Sequence, residues 1–182
     1  VKVVGEVGNF RFGSLAAFED EVRFRGTLDA TGDDVTVTAD GREFGVLRGI
    51  YEADSGAGRR AIGYLGTVVD KQTSIAHSHG IDTHFRTKTG RFTWDAQTLY
   101  SNVDGTQGGG ILNDFRYVTK GGILQSMSLD YLDDSIDIGD FGFIRRNDEI
   151  ALNYNLFRMQ SRGLPDYLRT RRRGIFVAAS AN

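Results

Sequence analysis

Residues 91–102, RFTWDAQTLYSN, sort into two sets. Phe92, Trp94, Ala96, Thr98 and Tyr100 are apolar or amphipathic; Thr93, Asp95, Gln97, Leu99 and Ser101 are mostly polar. A period of two belongs to a β-strand with one dry face and one wet face. The pattern recurs. Ile111, Phe115 and Tyr117 alternate with Asp114 and Arg116, and Ile123, Met127, Leu129 and Tyr131 with Ser126, Ser128 and Asp130. Ile150, Leu152, Tyr154 and Leu156 alternate with Asn153 and Asn155, and Ile81 and Phe85 with Asp82, His84 and Arg86. Strands are expected over 1–7, 9–18, 43–53, 59–69, 75–87, 91–102, 109–119, 122–132, 148–158 and 166–179. Neither 59–69 nor 166–179 has a cleanly apolar face. No stretch sustains a 3.6-residue period with both caps, so the expected fold is all-β, about ten strands in antiparallel up-and-down hairpins.

The connections carry a second pattern. VGN near Gly8, ADSGAG around Ser55, KTG at Lys88–Gly90 and KGG at Lys120–Gly122 have the chemistry of tight hairpin turns. The connections between them, 19–42, 70–74, 103–108 and 133–147, read as longer. Short turns at one end and long loops at the other are what a transmembrane β-barrel shows. Phe92 and Tyr100 stand about 26 Å apart along a strand, so aromatics fall near both borders of a tilted apolar band. A barrel of this kind would turn Phe92, Trp94, Tyr100, Phe115, Tyr117, Leu129 and Leu152 to lipid. It would line its interior with Asp82, His84, Arg86, Asp95, Gln97, Asp114, Arg116 and Asp130. A soluble β-sandwich with one solvated face gives the same alternation, and from spacing alone both readings stay open.

Composition narrows the choice only in places. The 182 residues carry a net charge of −2, which gives no bulk attraction to nucleic acid. There is no cysteine, hence no disulfide framework. One proline against 24 glycines suits long strands with glycine-rich turns. No apolar run reaches the length of a transmembrane helix, a test blind to barrels. Val1 is preceded by no basic or apolar leader, so the chain is read as a mature protein or a fragment.

Three clusters could carry chemistry. His77 and His79 share a strand face at a spacing able to chelate a metal, but no second cluster supplies further ligands, and no metal is expected. Asp130, Asp133, Asp134, Asp137 and Asp140 lie within eleven residues without EF-hand spacing, and read as a solvated acidic loop, with Ca²⁺ the alternative. Arg169, Arg171 and Arg173 alternate on one strand face, where a lumen ladder would select anions and a solvated strand end is the simpler reading. TQGGG at Thr106–Gly110 precedes a strand rather than a helix, so it is no phosphate cradle. No nucleophile–base–orienter set is legible, so neither an enzyme nor a cofactor is expected.

At GFIRRND, Gly142–Asp148, the sequence resembles a known family. The run from EFGVLRGIY (Glu43–Tyr51) through GIDTHFRTKTGRFTWDAQTLYSN (Gly80–Asn102) to LDYLDDSIDIGDFGFIRRND (Leu129–Asp148) is similar to an uncharacterised bacterial family. That family is the C-terminal β-barrel following a family-nine-like carbohydrate-binding domain in Gram-negative envelope proteins. The matching features are Leu47–Arg48, Gly80-x-Asp82, Trp94-x-Ala96-x-Thr98, and Gly142, Phe143 and Arg146. The resemblance covers roughly residues 40–150 and implies an outer-membrane barrel tied to glycan or nutrient handling. It supplies no catalytic residues. The family is several times longer, and the chain ends at VAASAN without a closing aromatic. These 182 residues are therefore expected to be an internal piece of a larger barrel, with partners in lipid, in the remaining strands or other envelope proteins, and in a glycan or small solute. The rival expectation is a soluble β-domain binding a glycan through Trp94 and Tyr100.

Overall fold

The structure is a computed structural model, and it describes residues 1–27, 31–71, 73–139, 146–160, 162–165, 167 and 169–182. Twelve strands run in chain order: β1 (Lys2–Val7), β2 (Phe10–Phe18), β3 (Val22–Thr27), β4 (Asp34–Ala39), β5 (Glu43–Ser55), β6 (Gly58–Asp70), β7 (Ile75–Thr87), β8 (Phe92–Val103), β9 (Thr106–Val118), β10 (Ile123–Leu132), β11 (Glu149–Gln160) and β12 (Arg171–Ala181). Ten form one antiparallel up-and-down sheet in the order β1-β2-β5-β6-β7-β8-β9-β10-β11-β12. Each pairs with its chain neighbour except at β2–β5, where β3 and β4 form a separate hairpin. The expected all-β, up-and-down fold is the observed one. β1 and β12 stand at the two ends of this order, and no pairing joins them among the described residues.

Two expectations about connections are corrected, and the long connection 19–42 holds two further strands. The segment 19–42 contains the β3–β4 hairpin, rooted where Glu19 and Arg42 meet through a backbone bond and a 2.7 Å ion pair. The segment 103–108 is no long loop but a two-residue turn, with Asp104 and Gly105 both at positive φ (51° and 87°). That is the geometry whose twist matches flanking strands, and Asp-Gly is among its preferred pairs. The tight-turn end also carries the ten-residue connection 161–170, so loop length is not sorted cleanly between the ends.

Few side chains are enclosed. Among the described residues the buried hydrophobics are Val69, Ala76 and Ile136. Phe10, Leu47, Tyr51, Ile62, Ile81, Ile111, Tyr117, Leu129, Tyr131 and Ile150 are all exposed.

Candidate functional site

Register assigns every strand residue to one of two faces. One face, here the charged face, holds Asp82, His84 and Arg86 of β7, Asp95 and Gln97 of β8, Asp114 and Arg116 of β9, and Asp130 of β10. The pairing is direct: Asp82 with Gln97, His84 with Asp95, Asp95 with Asp114. The other, aromatic face holds Phe92, Trp94 and Tyr100 of β8, Phe115 and Tyr117 of β9, Leu129 of β10 and Leu152 of β11. Trp94 pairs with Phe115, their rings 6.2 Å apart and 11° from parallel, and Phe92 pairs with Tyr117.

The charged face is layered. Nearest the tight turns, Arg59, Arg86 and Arg116 lie in one row. The next row is Glu52, His84, Asp95 and Asp114; the row after holds Asp82 and Asp130. Beyond them lies a row of Arg48, Leu65, Gly80, Leu99, Gly110 and Leu132. Ion pairs join the strands laterally. Glu52 on β5 accepts from Arg11 on β2 and, at 2.8 Å, from Arg59 on β6. Arg48 on β5 reaches Asp82 on β7 at 2.7 Å. His84 bonds Asp95. Opposed acids Asp95 and Asp114 are thus relieved on one side only.

Arg11, Arg48, Glu52 and Arg59 join this face without having been among the side chains expected there. The signal was the alternation in FRF and IYEAD, which places Arg11 and Glu52 opposite their aromatic neighbours. On β6 it was blurred by glycine and by Arg60, which lies on the aromatic face.

The acidic loop is not simply solvated. Residues 133–139 turn back over the loop end of the charged face as a strap. Ile136 is 3% exposed there. The Asp137 amide donates to Ser101 Oγ at 2.9 Å, the Gly109 amide to Asp133 Oδ2 at 2.8 Å, and the Ser135 amide to Asp133 Oδ1 at 2.9 Å. A Cβ at Gly108 would strike the backbone of Ser135 and Ile136, and one at Gly110 would meet Leu132. Gly108 therefore makes room for another backbone, which is one of the uses of glycine in a strand, and Gly110 for the Leu132 side chain. Ile138 lines a hollow with Val46, Leu65 and Leu99. Asp134 and Asp137 are exposed, and Asp140, Gly142 and Phe143 lie outside the described residues.

The histidines part company. His77 and His79 lie on the aromatic face, where His79 stacks between Tyr64 and Tyr100 at 6.0 Å from each ring and bonds the Tyr64 hydroxyl at 2.7 Å. His84 lies on the charged face. Among the described residues no three histidines or carboxylates gather as a metal site. The arginine ladder is corrected: Arg171 and Arg173 share a face, but it is the aromatic one, and Arg169 precedes the strand. Arg172 alone turns to the charged face, 3.9 Å over the Phe157 ring. Comparisons of the chain with protein-family models, with curated proteins and with solved structures gave no match.

Proposed function

We propose that this sheet is wall of an outer-membrane β-barrel, its aromatic face in lipid and its charged face turned inward, serving as a passive channel or as an anchor in glycan or nutrient handling. One observation carries the reading. From the row of Phe92 to the row of Tyr100, the aromatic face of the strands holds no carboxylate, one arginine, Arg60, and one histidine, His79, which is stacked between Tyr64 and Tyr100. The charged face over the same rows holds Arg48, Glu52, Asp82, Asp95, Asp114 and Asp130. That span is about 26 Å along the strands, enough when tilted for most of an apolar band about 25 Å tall. Lipid removes the cost of the exposed Leu47, Ile62, Ile81 and Ile111 that water would impose.

The free edges of β1 and β12 need strand partners in this setting, because unpaired backbone groups are not tolerated in hydrocarbon. Further strands of a larger barrel would supply them. Transit would be governed by the inward charges rather than by covalent chemistry.

Fractionation of the full-length native protein tests this, with gel migration before and after boiling. Outer-membrane recovery with a heat-dependent mobility shift is expected. Recovery without detergent as a freely soluble protein overturns the reading, and glycan binding through Trp94 and Tyr100 then becomes the hypothesis to measure.

A further inference from the structure

The arginines of β11 and β12 are not explained by a barrel wall alone. Across the strand residues of the ten-stranded sheet, the aromatic face carries six Asp, Glu, Lys or Arg side chains, and these divide by end. Glu43 and Asp70 lie opposite each other at the loop end. Arg60, Arg158, Arg171 and Arg173 lie toward the tight-turn end. Arg158 and Arg173 are directly opposed across β11 and β12, one row beyond Leu156 and Ile175, the last apolar pair of the band. Gln160 and Arg171 form the row after that.

Like charges directly opposed across two strands repel. Neither Arg158, Arg171 nor Arg173 makes an ion pair with any described residue; on the charged face Arg11, Arg48 and Arg59 are paired, while Arg86 and Arg116 are not, but those two lie among carboxylates of the same face. Arg158 and Arg173 are exposed. One row along an antiparallel strand is about 7 Å, which sets these guanidiniums just past the hydrocarbon border, at headgroup depth. Guanidinium binds phosphate oxygens in a two-pronged geometry that an ammonium does not match.

Resting on the membrane reading above, we propose that Arg158, Arg171 and Arg173 form a binding site for the phosphate of a bilayer lipid in the leaflet at the tight-turn end. The anionic headgroup relieves the repulsion between β11 and β12 and fixes the depth of that edge of the sheet. Arg172, between them in sequence, points the other way onto Phe157 and takes no part.

The test uses the full-length protein, assembled into vesicles of phosphatidylcholine alone or mixed with phosphatidylglycerol. Assembly is read by heat-dependent migration, and lipid retained after transfer to detergent by native mass spectrometry. The parent is expected to keep phosphatidylglycerol in preference to phosphatidylcholine. The doubly substituted R158Q/R173Q protein is expected to assemble but to lose that preference by roughly tenfold to thirtyfold, two contacts at about fivefold each. R158K/R173K restores it in part, since charge returns without the fork. Equal retention of phosphatidylglycerol by parent and R158Q/R173Q overturns the headgroup site and leaves the barrel standing. A parent that assembles in neither vesicle overturns the barrel reading itself.

Discussion

Arg48 on β5 reaches Asp82 on β7 at 2.7 Å by passing over Gly63 of the strand between them. A Cβ at Gly63 would come within 2.5 Å of the Asp82 carboxylate and 2.9 Å of an Arg48 guanidinium nitrogen. The ion pair thus fastens alternate strands, and a missing side chain makes it possible. Gly63→Leu is expected to separate the pair and to destabilise the protein by about 1–3 kcal/mol, the usual range for overpacking. Urea unfolding of the detergent-folded protein measures it. Both partners are about a third exposed, so R48M and D82L in a double-mutant cycle should couple by no more than about 1 kcal/mol. An undiminished midpoint for Gly63→Leu would mean that the pair and the glycine are independent.

Leu129 and Ser128 are neighbours on opposite faces of β10. Leu129→Arg puts a charge in the middle of the aromatic face and should cost about 2–4 kcal/mol if that face lies at the bilayer midplane. Ser128→Arg puts the same charge among Asp114 and Asn153 and should cost almost nothing. Yields of heat-modifiable protein after refolding into vesicles separate them. Equal yields would remove lipid from the account of the aromatic face.

Gly108→Val drives a side chain into the backbone of Ser135 and Ile136. The strap should leave the charged face while the strands stay paired. The chain has no cysteine, so a lone Ile136→Cys reports cleanly. A water-soluble maleimide should label it slowly in the parent background and at least several-fold faster alongside Gly108→Val. Equally fast labelling in both would place Ile136 in water from the outset, and equally slow labelling would mean that the strap stays down.

Gly105 holds φ at 87° in the β8–β9 turn. Gly105→Ala is expected to lower stability by about 1 kcal/mol, since an L-residue meets steric cost there. Asp104→Asn should be neutral, because asparagine tolerates the left-handed region equally well. A thermal melt of each, read by mobility shift, decides between turn strain and simple surface tolerance.

Alternation made most of this sheet legible. All ten expected strands are present, the last beginning at Arg171 rather than at 166, and outside 59–69 and 166–179 the period of two survives without any tertiary information. The face of every residue from Asp82 to Leu152 singled out above follows from the same parity. What parity cannot carry is proximity across strands. Arg48 and Asp82 are thirty-four residues apart, and only register brings them together. The hairpin β3–β4 was hidden because VRFRGT and DVTVTA are short and sit amid turn-forming residues. Gly108 falls in the expected connection 103–108 and Gly110 in the expected strand 109–119, and nothing in that reading marks them as what they are in space, the footprint of the strap.

The two-residue turn at Asp104–Gly105 leaves a notch in the rim of the sheet. Elsewhere at that end, the chain passes through the β3–β4 hairpin or the four-residue connection 71–74 before it returns. Between β8 and β9 it turns back at once. Ser101, which anchors the strap through Asp137, is only two residues below the end of β8. Anything arriving from solvent over this low wall meets the strap at its anchoring point, without first passing the β3–β4 hairpin.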